Sequence, residues 1–241
     1  MGWGMGIPIG WPNNPHSVPN LTAYIPASPS LDLFKNFTIE WFAKGPVPNE
    51  NSPIEVFWSF GSDIDFHSAF LENLGSPSST DWRFCYSING VPIIYVDVDA
   101  EINSGNFNFF VIERYINKIY FGLNGTWVET TTFNEDPISS GNKPLYIGSD
   151  GLFNNLTNGL INNFRWSVEA AIYDVGANFS VPETNLEVLP ENVFLVCGQA
   201  YNFPDLLLDK TENGHNIINS TGTFFNGNPF GFNLQGSLRF A

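Results

Sequence analysis

The sequence has few basic residues: nine Lys and Arg stand against 24 Asp and Glu, a formal net charge of -15 at pH 7. Affinity for nucleic acid rests largely on Lys and Arg that displace counterions from phosphates. A strongly acidic chain would repel phosphate backbones and anionic lipid alike. The composition therefore argues against nucleic-acid binding and against attachment to an anionic membrane.

Cysteines and long apolar runs are also scarce. The sequence has two cysteines, Cys85 and Cys197, and one pair in a chain of this length is not a disulfide framework. We expect both to be buried free thiols. No apolar run approaches the roughly 18 residues of a membrane span, so no membrane insertion is expected. The residues after Met1 show neither the cationic start nor the apolar stretch of a secretory signal.

Aromatic residues, in contrast, are abundant at 16% of the chain, with 23 Phe and 7 Trp. Large rings favour strands and sandwich cores, and the apolar residues alternate with period two, as in half-buried strands. The alternating sets are Phe37, Ile39, Trp41; Ile54, Val56, Trp58, Phe60; Trp82, Phe84, Tyr86, Ile88; and Ile94, Val96, Val98, Ala100, Ile102. The third and fourth sets flank Asn89-Gly90, which suits a tight hairpin turn.

Further short runs raise the number of predicted strands to at least nine, which is typical of a β-sandwich. They lie at 107–114, 118–123, 144–148, 159–167 and 193–197. Trp41, Trp58, Trp82 and Trp166 fall on apolar faces and are expected in the core. Residues 168–175 could form a helical turn that Gly176 would end. The sequence thus predicts an all-β antiparallel sandwich.

The chain divides into three parts. Residues 1–27 carry prolines at five positions among glycines and asparagines, which predicts an extended arm. Such an arm cannot bury its spaced apolar side chains by itself, so they must pack on its own sandwich or on a neighbouring protein; they are Trp3, Ile7, Ile9 and Trp11. Residues 28–225 form the predicted sandwich, and 226–241 a tail or closing strand.

Several short sequence segments, in their order along the chain, resemble segments of one protein family. They are Phe37–Phe42 (FTIEWF), the 118–125 hairpin ending in Asn124-Gly125 with Trp127 behind it, 144–151, 159–166, and 171–182. In this order they are similar to the laminin G-like jelly rolls of the concanavalin A-like lectin and glucanase superfamily. The resemblance covers residues 28–182, and phrases at 207–209 and 213–215 extend it. Residues 236–240 resemble the family's opening strand placed at the chain's end.

The resemblance implies a candidate acid cluster for glycoside hydrolysis. Glucanases of the superfamily carry alternating acids similar to Asp97, Asp99 and Glu101. Alternate strand residues share a face about 6.5 to 7 Å apart, and retaining hydrolysis uses carboxyls about 5 to 5.5 Å apart. Here Asp97 replaces the family's first Glu, which shortens the nucleophile by a methylene. We therefore expect a solvated or metal-facing strand face and no enzyme.

The resemblance also implies calcium, which relatives hold with loop carboxylates and carbonyls at the sandwich rim. Candidate donors are Asp63, Asp65 and Asp150, although turn chemistry explains these aspartates equally well. His16, His67 and His215 have no zinc-site spacing and are expected to be ordinary loop residues.

Trp127 follows a hairpin end and is therefore the best candidate for an exposed ring that stacks on a ligand sugar.

Three functions remain open. The favoured one is a structural or surface protein of a large assembly such as a virion, a minor capsid, decoration or fibre-associated component whose arm and tail clasp neighbouring proteins. This hypothesis uses both the arm and the acidic surface, and it predicts a location on a virion or extracellular surface. The second is a free carbohydrate-binding module, which is compatible with the first because a capsid or fibre protein can also contact glycans. The third is the hydrolase.

Overall fold

The structure is a computed structural model in which two sheets pack face to face. It describes residues 23–33, 35–44, 54–61, 67–73, 80–88, 91–99, 106–134, 141–148, 160–184, 186–196, 209–219, 224–225 and 237–239. Every strand pairing among these residues is antiparallel, and their one helix is a short 3-10 turn at Pro29–Leu31. The prediction of an all-β antiparallel sandwich is confirmed.

The first sheet has seven strands in the spatial order β13-β1-β10-β3-β4-β5-β6. Their bounds are β1 Ala23–Ile25, β3 Ile54–Phe60, β4 His67–Asn73, β5 Thr80–Ile88, β6 Val91–Asp99, β10 Leu145–Ile147 and β13 Ile218–Asn219. Strands β3 to β6 follow one another as a meander, whereas β1, β10 and β13 come from three distant parts of the chain. The predicted hairpin between the third and fourth alternating sets is the β5–β6 pair.

The second sheet has eight strands, seven of them in the order β14-β15-β11-β2-β7-β8-β9. Their bounds are β2 Phe37–Lys44, β7 Asn108–Tyr115, β8 Lys118–Leu123, β9 Thr126–Thr132, β11 Leu160–Val168, β12 Asn192–Val196, β14 Phe224–Phe225 and β15 Ser237–Arg239. The eighth strand, β12, pairs with β11 as well.

The main core lies between the two sheets and is rich in aromatic rings. Trp41 stacks on Phe110 with ring centroids 5.4 Å apart, and the Trp58 and Trp166 rings meet edge to face at 5.1 Å. These three tryptophans are fully buried, as predicted; the side chain of Trp82 lies outside the described residues. Burying a large aromatic ring contributes roughly 1.5 to 3 kcal/mol, so this cluster is a major source of stability.

One of the predicted faces is interrupted by a bulge. The register between β3 and β4 shifts between Val56 and Trp58. Phe57 therefore joins Trp58 and Phe60 in the core cluster, and the predicted single face of Ile54, Val56, Trp58 and Phe60 is wrong. An extra residue in one strand reverses the side-chain alternation on one side of it.

Both ends of the described chain take part in the sandwich. Residues 23–25, assigned to the arm by the sequence, form β1, which lies between β10 and β13. The sandwich therefore begins before residue 28. Strand β15, from the predicted tail, pairs with β11 and β14, so these tail residues close a sheet of their own chain.

Several predictions fall outside what the structure describes. Residues 1–22 of the arm, with Trp3, Ile7, Ile9 and Trp11, lie outside the described residues, as do Cys197 and the side chain of Cys85. Within the described part of the chain, no helix has the length and apolar character needed to cross a membrane.

Candidate functional site

The face of the second sheet that points away from the core is crossed by residues 170–181, here called the strap. Phe179 of the strap packs in a second buried cluster with Phe42, Phe109 and Val111 from β2 and β7. Partly buried side chains border this cluster: Phe107, Trp127, Tyr173 and Val181. The strap therefore gives this sheet a small apolar core on its outer side.

Two glycines on the β8–β9 hairpin allow the strap to approach the sheet. A Cβ on Gly122 would lie 2.6 Å from Cζ of Phe179, so only glycine leaves room for that ring in its present position. Gly125 has a φ of +90°, and its carbonyl accepts a hydrogen bond of 2.9 Å from the Phe179 amide. Asn124, with a φ of 50°, supplies the other positive φ of this tight turn.

Glu113 on β7 fixes the start of the strap. Its Oε2 accepts hydrogen bonds from the amides of Ile172 (2.8 Å) and Tyr173 (2.9 Å) and from the Thr38 hydroxyl (2.8 Å). The predicted helical turn at 168–175 is wrong for this reason: a side chain of the sheet takes the amide groups that a helix would use. Burial raises the pKa of Glu113 to about 7, although these hydrogen bonds favour the carboxylate.

A second buried carboxylate, Glu40 on β2, anchors the strap through Tyr173. The Tyr173 hydroxyl donates to Glu40 Oε2 at 2.5 Å, and the Arg165 guanidinium forms an ion pair with Oε1. Arg165 also donates to the Glu187 carbonyl at 2.9 Å. Burial raises the pKa of Glu40, and Arg165 and Tyr173 offset only part of this increase. Burial likewise raises the pKa of Tyr173.

Neither carboxylate faces solvent, since both residues are fully buried. The Oε2 atom of each carboxylate accepts hydrogen bonds from the strap. Two carboxylates on neighbouring strands resemble a hydrolytic pair in composition, but a substrate would have to displace Tyr173 to reach Glu40. In this arrangement the two acids serve as anchors.

Trp127 on β9 is one of the partly exposed rings of this face. Its Nε1 donates to the Ala177 carbonyl (3.0 Å) and the Asp174 carbonyl (3.3 Å), both in the strap. Rings surround it on three sides, with centroid distances of 4.7 Å to Phe179, 5.7 Å to Tyr120 and 6.4 Å to Tyr173. The indole is therefore held in one orientation, and Tyr120 beside it is also partly exposed. Two adjacent, rigid and partly exposed rings can stack on an apolar ligand face without losing much conformational entropy.

The side chains of the other predicted site residues lie outside the described residues. Asp97 and Asp99 lie on β6, but their side chains are outside the described residues, as is Glu101. Asp63, Asp65 and Asp150 are likewise outside. Among the described residues, no three His, Cys, Asp or Glu side chains form a group that could hold a metal ion. The calcium site remains a prediction.

The sequence analysis missed the anchoring network of Glu40, Glu113 and Arg165. The sequence signal for this network was that three highly apolar strands, β2, β7 and β11, each carry a charged residue on their polar face. Charges in such strands are seldom buried without partners, and a largely apolar segment that includes Tyr173 and Phe179 follows at 171–181. These observations together could have suggested a covered outer face.

The comparisons with known proteins agree with this fold. A laminin G family model, described as the concanavalin A-like lectin/glucanases superfamily, matches residues 20–171. A Bacteroides ovatus protein named for an inferred carbohydrate-binding role is similar in structure, with 12% identity and a TM-score of 0.61 over 84% of this chain. The match spans 58% of that protein's length. The enzymatically active domain of tailspike protein 2 from bacteriophage CBA120 has 12% identity and a TM-score of 0.47, over 62% of this chain and 24% of its own.

No curated protein matches the sequence. The family model nevertheless covers more than half of the 241 residues, and the structure has the two antiparallel sheets that the family implies. The chain belongs to the concanavalin A-like lectin/glucanases superfamily.

Proposed function

We propose that this protein is a carbohydrate-binding surface protein without glycoside hydrolase activity, and that Trp127 and Tyr120 form its sugar-stacking surface. The observation that carries the proposal is the fixed orientation of the partly exposed Trp127 indole. Sugar rings have an apolar C–H face, which packs well on an aromatic ring. Family membership and the inferred role of the Bacteroides ovatus relative support binding of the same ligand class.

The buried carboxylates support binding over hydrolysis. Glycoside hydrolysis needs two carboxyls that flank the scissile bond. Glu40 and Glu113 are enclosed under the strap and occupied by hydrogen bonds to it. The Asp97, Asp99 and Glu101 cluster remains in this proposal a solvated or metal-facing strand face.

A glycan panel followed by calorimetry tests the proposal. Trp127→Ala should weaken binding of the best glycan about tenfold, which corresponds to about 1.4 kcal/mol. Trp127→Phe should retain part of the affinity because a ring remains. Tyr115→Ala is the matched control, since Tyr115 is 42% exposed at the end of β7 and pairs with Lys118, at the end of β8 far from Trp127. Full affinity in Trp127→Ala, or no binding to any glycan of a broad panel, would contradict the proposal.

We further propose that residues 1–22 join this module to other structural proteins of a large assembly, such as a virion, on a virion or extracellular surface. The supporting observation is the series Trp3, Ile7, Ile9 and Trp11 in a proline-rich segment, whose apolar side chains need a surface on a neighbouring protein or on their own sandwich. A deletion of residues 1–22 leaves β1 intact and so tests the arm alone. Light scattering with and without calcium should show assembly only with the arm; a monomer in both forms would refute this role.

A further inference from the structure

Three side chains from distant parts of the chain form a continuous line of hydrogen bonds at the 3-10 turn. Ser30 Oγ lies 2.8 Å from His215 Nε2, and His215 Nδ1 lies 2.8 Å from Asp209 Oδ2. The Asp209 and His215 side chains are 0% and 8% exposed, and Ser30 is partly exposed. The order of the groups, hydroxyl, imidazole and carboxylate, is that of an activated serine nucleophile.

The surroundings of Asp209 determine which group donates in each bond. Its two oxygens accept hydrogen bonds from the amides of Leu195, Thr211 and His215 and from the Thr211 hydroxyl. Burial alone would raise the pKa of Asp209, but the bonds from His215, Thr211 and Leu195 outweigh it and lower the pKa. Asp209 is therefore an acceptor only.

Since Asp209 can only accept, the Nδ1 of a neutral His215 carries the proton and its Nε2 has the free lone pair. The Ser30 hydroxyl then donates to Nε2. The Phe194 ring meets the imidazole edge to face, with centroids 6.1 Å apart, which restricts its rotation. The imidazole is thus oriented, in the right tautomer, to receive the Ser30 proton.

We propose that Ser30 is a nucleophile toward short-chain carboxylic esters, with His215 as its general base and Asp209 as the residue that positions the imidazole. Ser30 Oγ attacks the ester carbonyl as its proton passes to His215 Nε2. The bond between carbonyl carbon and alkoxy oxygen then breaks, and the alcohol leaves with that proton. Water attacks the acyl-serine in the same way, releasing the acid and restoring Ser30. This reaction goes beyond the proposed carbohydrate binding.

The surroundings of Ser30 predict a slow reaction. Ser28 Oγ lies 2.8 Å from Ser30 Oγ, so one hydroxyl stands beside the nucleophile. The amides of residues 30–32 are bonded within the turn, to Ser28 Oγ, the Ser28 carbonyl and the Pro29 carbonyl. Each missing oxyanion donor costs about 100-fold to 1000-fold in rate. We therefore expect reaction with activated esters and low turnover.

The same bonds could instead serve only to tie the 3-10 turn to the loop at 209–215. Reactivity with a fluorophosphonate distinguishes the two roles. Ser30 Oγ would form a bond to phosphorus, fluoride would leave, and the proton would pass through His215 to solvent. Tandem mass spectrometry of the full-length protein should find the label on Ser30 in the native protein, and no label on Ser30 after unfolding in urea.

Two variants and one control complete the test. Ser30→Ala should abolish the label, and His215→Gln should reduce labelling at Ser30 and p-nitrophenolate release from p-nitrophenyl acetate at least tenfold. Ser180→Ala is the control, because Ser180 is an exposed serine of the strap. Circular dichroism confirms that each variant is folded. An unlabelled Ser30 in the native protein, equal labelling in folded His215→Gln, or unchanged p-nitrophenolate release in Ser30→Ala would overturn the proposal.

Discussion

Glu113 should make the protein less stable as the pH rises, and Glu113→Gln should remove this dependence. Burial raises the pKa of Glu113 from its usual value of 4.5 to about 7. Between these values the folded state keeps a proton that the unfolded state has lost, so the free energy of unfolding falls with increasing pH. The group's contribution is fully present below about pH 4.5 and is lost by about pH 7; the shift corresponds to about 3 kcal/mol.

The glutamine variant replaces a titrating group with a neutral one of the same shape. Its carbonyl can accept from the Ile172 and Tyr173 amides as Oε2 of Glu113 does. Glu113 Oε1 has no hydrogen-bond partner among the described residues, so an amide nitrogen there would cost about 1 to 3 kcal/mol. We expect the variant to be less stable than the wild type at pH 4.5 and to match or exceed it at pH 8.

Urea denaturation from pH 4 to pH 8 measures this difference directly. Glu183→Gln, at an exposed position of the chain just after the strap, is the matched control and should follow the wild type. The stability difference between Glu113→Gln and wild type should change by about 3 kcal/mol across the range. If the difference in free energy of unfolding between Glu113→Gln and wild type does not change with pH, as expected for the control, the assignment of the buried proton to Glu113 is refuted.

Three further predictions concern the strap and the loops. Glu40→Gln leaves the Arg165 charge buried without its carboxylate and should lower the free energy of unfolding by about 3 to 5 kcal/mol in urea denaturation; a loss below 1 kcal/mol would contradict it. Gly122→Ala pushes a methyl group into the Phe179 ring and should cost about 1 to 3 kcal/mol, with the strap amides losing protection in hydrogen exchange; unchanged protection would contradict the packing. Calcium bound by Asp63, Asp65 and Asp150 should raise the melting temperature at millimolar calcium, and chelation should reverse the increase.

Local alternation was sufficient to predict most strands of the sandwich. The alternating pattern of β2 correctly placed Trp41 in the core, because successive side chains of a half-buried strand point in turn to its apolar and its polar face. The bulge after Val56 could not be predicted in this way, since it depends on how β3 pairs with β4. The strap shows the same limit: its apolar residues suggest a helical turn, and Glu113, distant in sequence, prevents it.

The same distinction between local patterns and long-range contacts applies to the candidate sites. Trp127 could be proposed from the sequence because its signal, a ring just after a hairpin turn, is local. The arrangement of Ser30, Asp209 and His215 could not, because Ser30 and His215 are 185 residues apart. Nothing in the local sequence around His215 distinguishes it from an ordinary loop histidine. Long-range contacts such as the pairing of β1 with β13 bring these two regions of the chain together.

The positions of β1 and β15 also constrain how fast and in what order the protein folds. Ala23 pairs with Asn219 and Leu160 pairs with Arg239, so the described strands of the first sheet are complete only after residue 219 has left the ribosome, and those of the second only after residue 239. Loop closure over such separations slows folding, and sheets with many nonlocal pairings form in milliseconds to seconds. The local hairpins β4–β5–β6 and β7–β8–β9 can form first, and until β15 arrives the edge of β11 at Leu160 and Ile161 stays open to pairing with other chains. During synthesis, this edge is where chaperone binding would protect the chain most.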